Sequence, residues 1–143
     1  MPYVAINAPD TPTPPAQTWT NIKVHSNGHC FVAGMTSPGD SMYEQAKGTF
    51  ESIRRTIVAA GGCMDDIMAM QIFVTNLSEN TEVWRARREF FAGDFPTSTL
   101  IQAIAAATLA VANRSFRSFP KLMQALQARA RPTCQGAFSY IRL

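Results

Sequence analysis

Apolar and polar side chains alternate in two short segments near the start of the chain. These segments are residues 21–25 and the more apolar residues 29–33, and the Asn-Gly step at 27–28 between them is a strong signal for a hairpin turn. We therefore predict two antiparallel strands. The proline-rich residues 1–18 before them are predicted to form an extended arm, because proline disfavours helix in its own and the preceding residue.

Two later segments have the three-to-four-residue apolar spacing of a helix. Residues 41–60 carry one continuous apolar stripe and end before a Gly-Gly pair. Ser41 begins a capping-box pattern, and Asp40 is an equally good cap. Residues 82–91 are predicted to form a second, shorter helix. We expect Ser78 or Asn80 to cap it.

Residues 66–75 have the pattern of a strand that is apolar on both faces. Gln71 is the single amide on one face, and such a strand belongs inside a sheet that is covered on both sides. In a chain of this length, helices would cover one side and another subunit the other. The wholly apolar face is predicted to comprise Met68, Met70, Ile72 and Val74.

A further strand at 98–101 completes the order β-β-α-β-α-β. This order predicts an α+β sandwich with both helices on one face of a mixed sheet.

The composition is that of one globular domain. With 143 residues, 46% of them hydrophobic, the chain can bury a core without a disulfide or a metal. No apolar run approaches the ~20 residues of a membrane span, and the start lacks the pattern of a signal peptide. Three widely spaced cysteines and two histidines do not fit a structural zinc site. We therefore expect a cytoplasmic protein with reduced thiols and no structural zinc site.

The net charge of +3 is distributed unevenly along the chain. Residues 1–112 contain ten acidic and seven basic side chains, whereas residues 113–143 contain six basic and no acidic ones. We predict one domain over 1–112 and a basic tail over 113–143. A short basic amphipathic helix around 122–126 is the only basis for membrane or nucleic-acid binding, and both are disfavoured because no patterned aromatic residues accompany the charge.

Local motifs do not identify a function. The chain has neither a nucleophile elbow nor a phosphate-binding loop. Arg85, Arg87 and Arg88 are potential anion ligands. Beside Glu82 and Glu89, however, they are expected to form a solvated helix face with local ion pairs.

Residues 20–102 nevertheless resemble the Rid family of reactive enamine/imine deaminases, also called the YjgF family. The resemblance lies in the order and spacing of several short words rather than in any one of them. These words are Phe31-Val32-Ala33-Gly34, the segment from Ala59 to Ile67, the segment from Ile72 to Asn76, and Arg88-Glu89-Phe90-Phe91 before Phe95-Pro96.

The resemblance implies a chorismate-mutase-like fold that assembles as a homotrimer, with small-molecule clefts between subunits. It also implies hydrolysis of reactive enamines or imines by water, without cofactor or metal. In that chemistry an Arg holds the substrate carboxylate by a bidentate fork, and backbone groups with a Glu position the water.

The chain departs from the family at the motif that carries this Arg. The family's Pro-x-Arg-Ser/Thr word falls on residues 96–99, where Ser98 occupies the Arg position. Loss of the fork removes about 2–4 kcal/mol of carboxylate binding if nothing replaces it. Trp84 stands where the family has an Asn, and Trp19 is the nearest aromatic residue to a family Tyr. The resemblance thus implies Ser98 and Thr99 as catalytic residues, and Gly34, Trp19 and Trp84 as substrate-binding residues.

We therefore predict hydrolytic deamination of an enamine or imine, with a substrate altered by the missing Arg. The alternative is a non-catalytic trimer that binds a small metabolite in the same clefts. RNA binding or cleavage is a third reading, which rests on the charge of the tail alone.

The family's last strand, which ends in Glu-Ile-Glu-Ala, has no counterpart after Gln102. One choice of codons for residues 113–119 reads Ile-Glu-Ala-Phe-Val-Val-Phe from its second base, which fits that ending. We hypothesise that the residues from about 112 onward derive from a shifted reading frame. A native basic appendage is the alternative.

Overall fold

The computed structural model describes residues 3–9, 11–103 and 137–142, the last of these by their backbone. Six strands form one sheet in the order β1-β2-β3-β6-β4-β5. The elements are β1 (Tyr3–Ile6), β2 (Ile22–His25), β3 (Cys30–Met35), α1 (Met42–Ala59), β4 (Ile67–Val74), α2 (Asn80–Arg87), β5 (Thr97–Gln102) and β6 (Ala137–Arg142).

The sheet is mixed, which confirms the predicted α+β class. Strands β1, β2 and β3 are antiparallel neighbours, whereas β3, β6, β4 and β5 run parallel. Both helices contribute buried side chains to a single core on one face of this sheet. Within the part of the chain that the structure describes, no helix has the length and hydropathy needed to cross a bilayer.

The predicted hairpin is confirmed, and its second strand ends later than predicted. Gly28 lies in the turn with a φ of 85°, a conformation that glycine adopts without strain. The second strand continues through Gly34 to Met35. The arm is not merely extended, because Tyr3–Ile6 pairs with β2 as an antiparallel strand.

Helix α1 begins as the capping pattern predicts. The Ser41 hydroxyl accepts a hydrogen bond from the backbone N–H of Glu44 at 3.2 Å. The Glu44 carboxylate in turn accepts from the N–H of Asp40 at 2.9 Å, one residue before the cap. Gly61, with a φ of 86°, ends the helix.

Aromatic packing joins α1 to the segment that follows α2. Phe50 of α1 is fully buried, and its ring centroid lies 5.5 Å from that of Phe90 and 6.2 Å from that of Phe91. These aromatic contacts anchor the segment that leads from α2 into β5.

The prediction for the faces of β4 was wrong at its first residues. A register irregularity between Ile67 and Ala69 shifts the alternation by one residue. Ile67 therefore joins Met70, Ile72 and Val74 in the core, whereas Met68 is only partly buried.

Helix α2 also differs from its predicted boundaries. It spans Asn80–Arg87, begins two residues earlier than predicted and ends four residues earlier. Neither Ser78 nor Asn80 caps it, since its cap is Glu79, which makes no side-chain capping bond. Asn76 instead caps the single 3-10 turn that precedes the helix.

The last strand was not predicted. Backbone pairing places Ala137–Arg142 between β3 and β4 and parallel to both, so these two strands are not adjacent sheet neighbours. The amphipathic helix predicted around residues 122–126 lies outside the described residues.

Gly48 provides a first stability prediction, because α1 lies close to the preceding loop at this residue. A Cβ on Gly48 would lie 2.7 Å from Cβ of Ser37 and closer still to its Oγ. We expect Gly48→Ala to lower the free energy of unfolding by up to about 2 kcal/mol in urea denaturation, since an overpacking cost of about 1–3 kcal/mol is offset by alanine's helix-propensity gain of about 1 kcal/mol.

Gly93 is the matched control, because a Cβ there meets nothing within 4 Å. Gly93→Ala is expected to change the free energy of unfolding by less than about 0.5 kcal/mol. Ser37→Gly should restore the loss in the Gly48→Ala background. Equal effects of the two alanine substitutions would contradict the proposed clash.

Candidate functional site

Two groups of potential ligand-binding residues lie at different ends of the sheet. The first, which we call the arginine site, comprises Arg87, Ser98, Trp84, Phe91 and Phe95. The second, the tryptophan groove, lies beside β2 and β3 and is lined by Gln17, Thr18, Trp19, Thr20, Lys23, Phe31, Val32 and Ala33.

Arg87 forms the centre of the arginine site. It is the last residue of α2 and is only 7% exposed. Its Nη1 donates to Ser98 Oγ at 2.9 Å, and its Nη2 donates to the carbonyl of Pro96 at 2.6 Å. The guanidinium therefore connects the end of α2 to the start of β5.

Aromatic rings surround the same guanidinium. Its Cζ lies 5.6 Å from the ring centroid of Trp84, 5.8 Å from that of Phe91 and 5.1 Å from that of Phe95. Contacts of this kind stabilise a cation, but they do not neutralise its charge.

No carboxylate compensates Arg87 within the described residues. Its Nε is buried without a hydrogen-bond partner there, and burial lowers the pKa of the guanidinium below its ordinary value. The prediction of a solvated arginine face was therefore wrong for Arg87. It holds for Arg85, which pairs with Glu82 at 3.1 Å on the surface.

Ser98 is exposed and lies directly in front of the buried guanidinium. Its oxygen accepts from Arg87, and its own hydroxyl proton makes no hydrogen bond to the described residues. A serine hydroxyl can accept and donate at once, so this proton is available to a ligand. Trp84 lies half-buried beside the pair.

The tryptophan groove is a shallow cavity of about 460 Å³. Trp19 and Phe31 are both more than half exposed, at 54% and 55%. Gln17, which leads into this loop, has a φ of 63°, a conformation that is uncommon outside glycine.

The structure does not bring all the predicted site residues together within one chain. Val32 of β3 and Ser98 of β5 occupy the same row of the sheet, separated by β6 and β4. Three strand spacings amount to about 14 Å. Gly34 and Trp19 therefore lie near one end of the row, and Ser98 and Trp84 near the other.

Thr99 lies on the face of β5 opposite to Ser98, since neighbouring strand residues point to opposite sides. It pairs in register with Gln71 of β4. Phe73 and Ile101 occupy the next row on this face, and Ile101 is 38% exposed. Neither α1 nor α2 covers this face, which we call the open face.

Arg87 is the site residue that the sequence analysis missed. The helical spacing does contain a signal, because Arg87 falls one turn after Val83 and next to Ala86, and both of these residues are fully buried. A charged residue on an apolar stripe indicates either a buried pair or a functional site.

Comparisons with known proteins agree with this architecture. The family model for endoribonuclease L-PSP matches residues 9–112. The chain is similar to a solved protein of unknown function from Pseudomonas aeruginosa, with 24% identity, a TM-score of 0.68, and coverage of 74% of this chain and 83% of that one.

Two further solved structures show the same fold. The Rid-family protein YyfA from Yersinia pestis has 18% identity and a TM-score of 0.68, with coverage of 73% of this chain and 89% of that one. TdcF from E. coli, solved with bound serine, has 22% identity and a TM-score of 0.59, with coverage of 70% and 83%.

Proposed function

We propose, from the premise that this chain belongs to the endoribonuclease L-PSP family of YjgF and Rid proteins, that it hydrolyses reactive enamines or imines of small metabolites. The observation that carries the proposal is that the family match spans both candidate half-sites, since it runs from residue 9 to residue 112. The reaction would take place in clefts between the subunits of a homotrimer.

The distance across the sheet supports a cleft built from two subunits. Val32 of the tryptophan groove and Ser98 of the arginine site lie three strand spacings apart, about 14 Å, which is too far for both to contact one small metabolite. The open face carries apolar side chains that another copy of the chain would bury. Apposition of two copies would bring the groove of one beside the arginine site of the next.

In this reaction water adds to the carbon of the C=N bond, and ammonia leaves as the carbonyl forms. The enamine form first takes up a proton on carbon to become the imine. Ser98 is the exposed donor that would orient the substrate or the water, and Trp19 and Trp84 would form apolar walls. Exclusion of bulk water by these rings strengthens the polar contacts within the cleft.

A second candidate function is binding without catalysis. It is favoured by the absence of any acidic residue after Asp94, since the family's water-positioning Glu belongs to that part of the chain. The bound serine of TdcF shows that a protein of this fold can hold a small amino acid.

Ammonia release distinguishes the two functions. We expect the full chain to accelerate ammonia release from 2-aminoacrylate generated in situ, above the rate in buffer, because the cleft excludes water and aligns the imine. Heat-denatured protein is the control. A rate equal to that in buffer, together with measurable serine binding, would contradict catalysis and leave the binding function.

A further inference from the structure

A buried cation without an anion is the most unusual feature of the described structure. Arg87 is 7% exposed, and none of the described carboxylates forms an ion pair with it. Outside the described residues, Asp10 is the single acidic side chain, because residues 104–136 contain no Asp or Glu. An uncompensated buried charge is costly to a protein, so its retention indicates a bound anion.

The orientation of the donors shows where such an anion would bind. Pro96 and Ser98 take one hydrogen bond each from the two terminal nitrogens of Arg87. Ser98 is exposed, so its hydroxyl is the outermost polar group of this site. Because its oxygen accepts from a cation, its O–H bond is polarised and becomes a stronger donor.

We propose that Arg87 and Ser98 form an anion-binding pair, in which the Ser98 hydroxyl, polarised by the guanidinium behind it, donates a hydrogen bond to a carboxylate of the ligand. Arg87 is a positioning residue in this pair, and Ser98 contacts the ligand. The inference deepens the proposed function and rests on it for the location of the ligand. The positive charge missing from position 98 thus comes from α2, and the ligand is an anion rather than a neutral molecule.

The test compares each ligand with its own amide. Binding of pyruvate, 2-oxobutanoate and L-serine to the full chain is measured by titration calorimetry beside pyruvamide, 2-oxobutanamide and L-serinamide. We expect at least one acid to bind roughly tenfold or more tightly than its amide, because a charge-assisted hydrogen bond is replaced by a neutral one. A wild-type chain with no preference for any acid would overturn the proposal.

Variants test which residues cause the preference for acids over amides. Ser98→Ala and Arg87→Met are each expected to abolish it, and their combination should lose no more than either alone, since the two residues act as one unit. Arg88→Met is the matched control, because Arg88 is exposed and adjacent, and it should keep the preference. Retention of the preference in Arg87→Met would overturn the proposal.

Moving the positive charge from position 87 to position 98 distinguishes a role in ligand binding from a purely structural role of Arg87. Ser98→Arg in the Arg87→Met background places a guanidinium on β5 and is expected to restore the preference for acids. Thermal melts check that each variant is folded, and Arg87→Lys provides a folded charged variant if Arg87→Met unfolds, with an expected partial loss. No recovery in a folded Ser98→Arg double variant would contradict the assignment.

The result of the binding test does not depend on whether the protein is a catalyst. Acid preference without ammonia release would remove the deaminase function and leave the anion-binding pair. Ammonia release without a preference for acids would leave the deaminase function and remove the anion-binding pair.

Discussion

Replacement of Phe73 by glutamate is expected to convert the proposed trimer into monomers. Phe73 lies on the open face of β4, in register with the exposed Ile101 of β5. In a trimer that buries this face, the substitution introduces one carboxylate per subunit, and each costs several kcal/mol when it is buried without a partner. Light scattering should show a fall from three times 15.7 kDa to 15.7 kDa, and ammonia release should be lost with it.

Val58→Glu is the control for this experiment. Val58 is 54% exposed on α1, on the other side of the sheet. The Val58→Glu variant should keep both the mass and the activity of the wild type, and circular dichroism should show that both variants are folded. A Phe73→Glu variant that keeps the mass of a trimer would show that the open face is not the interface.

Phe50→Ala is expected to have the largest effect on stability. Phe50 is fully buried against Phe90 and Phe91, and truncation removes the aromatic contacts that join α1 to the segment after α2. Such a cavity costs about 3–5 kcal/mol, a large part of the roughly 5–15 kcal/mol that stabilises a typical domain. The midpoint of urea unfolding should fall accordingly.

The exposed Val58 again provides the comparison, on the same helix. Val58→Ala should change the free energy of unfolding by less than about 0.5 kcal/mol. A loss below about 1 kcal/mol for Phe50→Ala would contradict the packing described for the core.

Local patterns were sufficient for the elements that depend on local contacts. The hairpin and α1 were predicted because the turn at Gly28 and the cap at Ser41 act within a few residues. The family match and the solved structures confirm the resemblance to the Rid family and the fold it implied. Both could be predicted from the sequence because they rest on the order of several such segments.

Features that depend on distant partners were not predicted. The contact between Arg87 and Ser98 joins a helix to a strand after an intervening loop, and helical spacing alone did not reveal it. The irregularity at Ile67 depends on pairing with β6, whose place in the sheet no local pattern indicates.

The reading-frame hypothesis remains a prediction, and the coding DNA tests it. The family match ends at residue 112, directly before the basic segment 113–143. We expect the codons of residues 113–119 to encode Ile-Glu-Ala in another frame. Codons that do not would leave the basic segment as a native appendage.

Subunit mixing tests the central claim, a cleft shared between two subunits, most directly. Trp19→Ala and Arg87→Met damage different halves of the cleft, so each variant alone should release ammonia only at the buffer rate. Unfolded together in equal amounts and refolded, they should recover about a quarter of the wild-type rate, because random assembly gives two intact halves in about a quarter of all clefts. A mixed trimer with no recovered ammonia release would contradict a cleft shared between subunits.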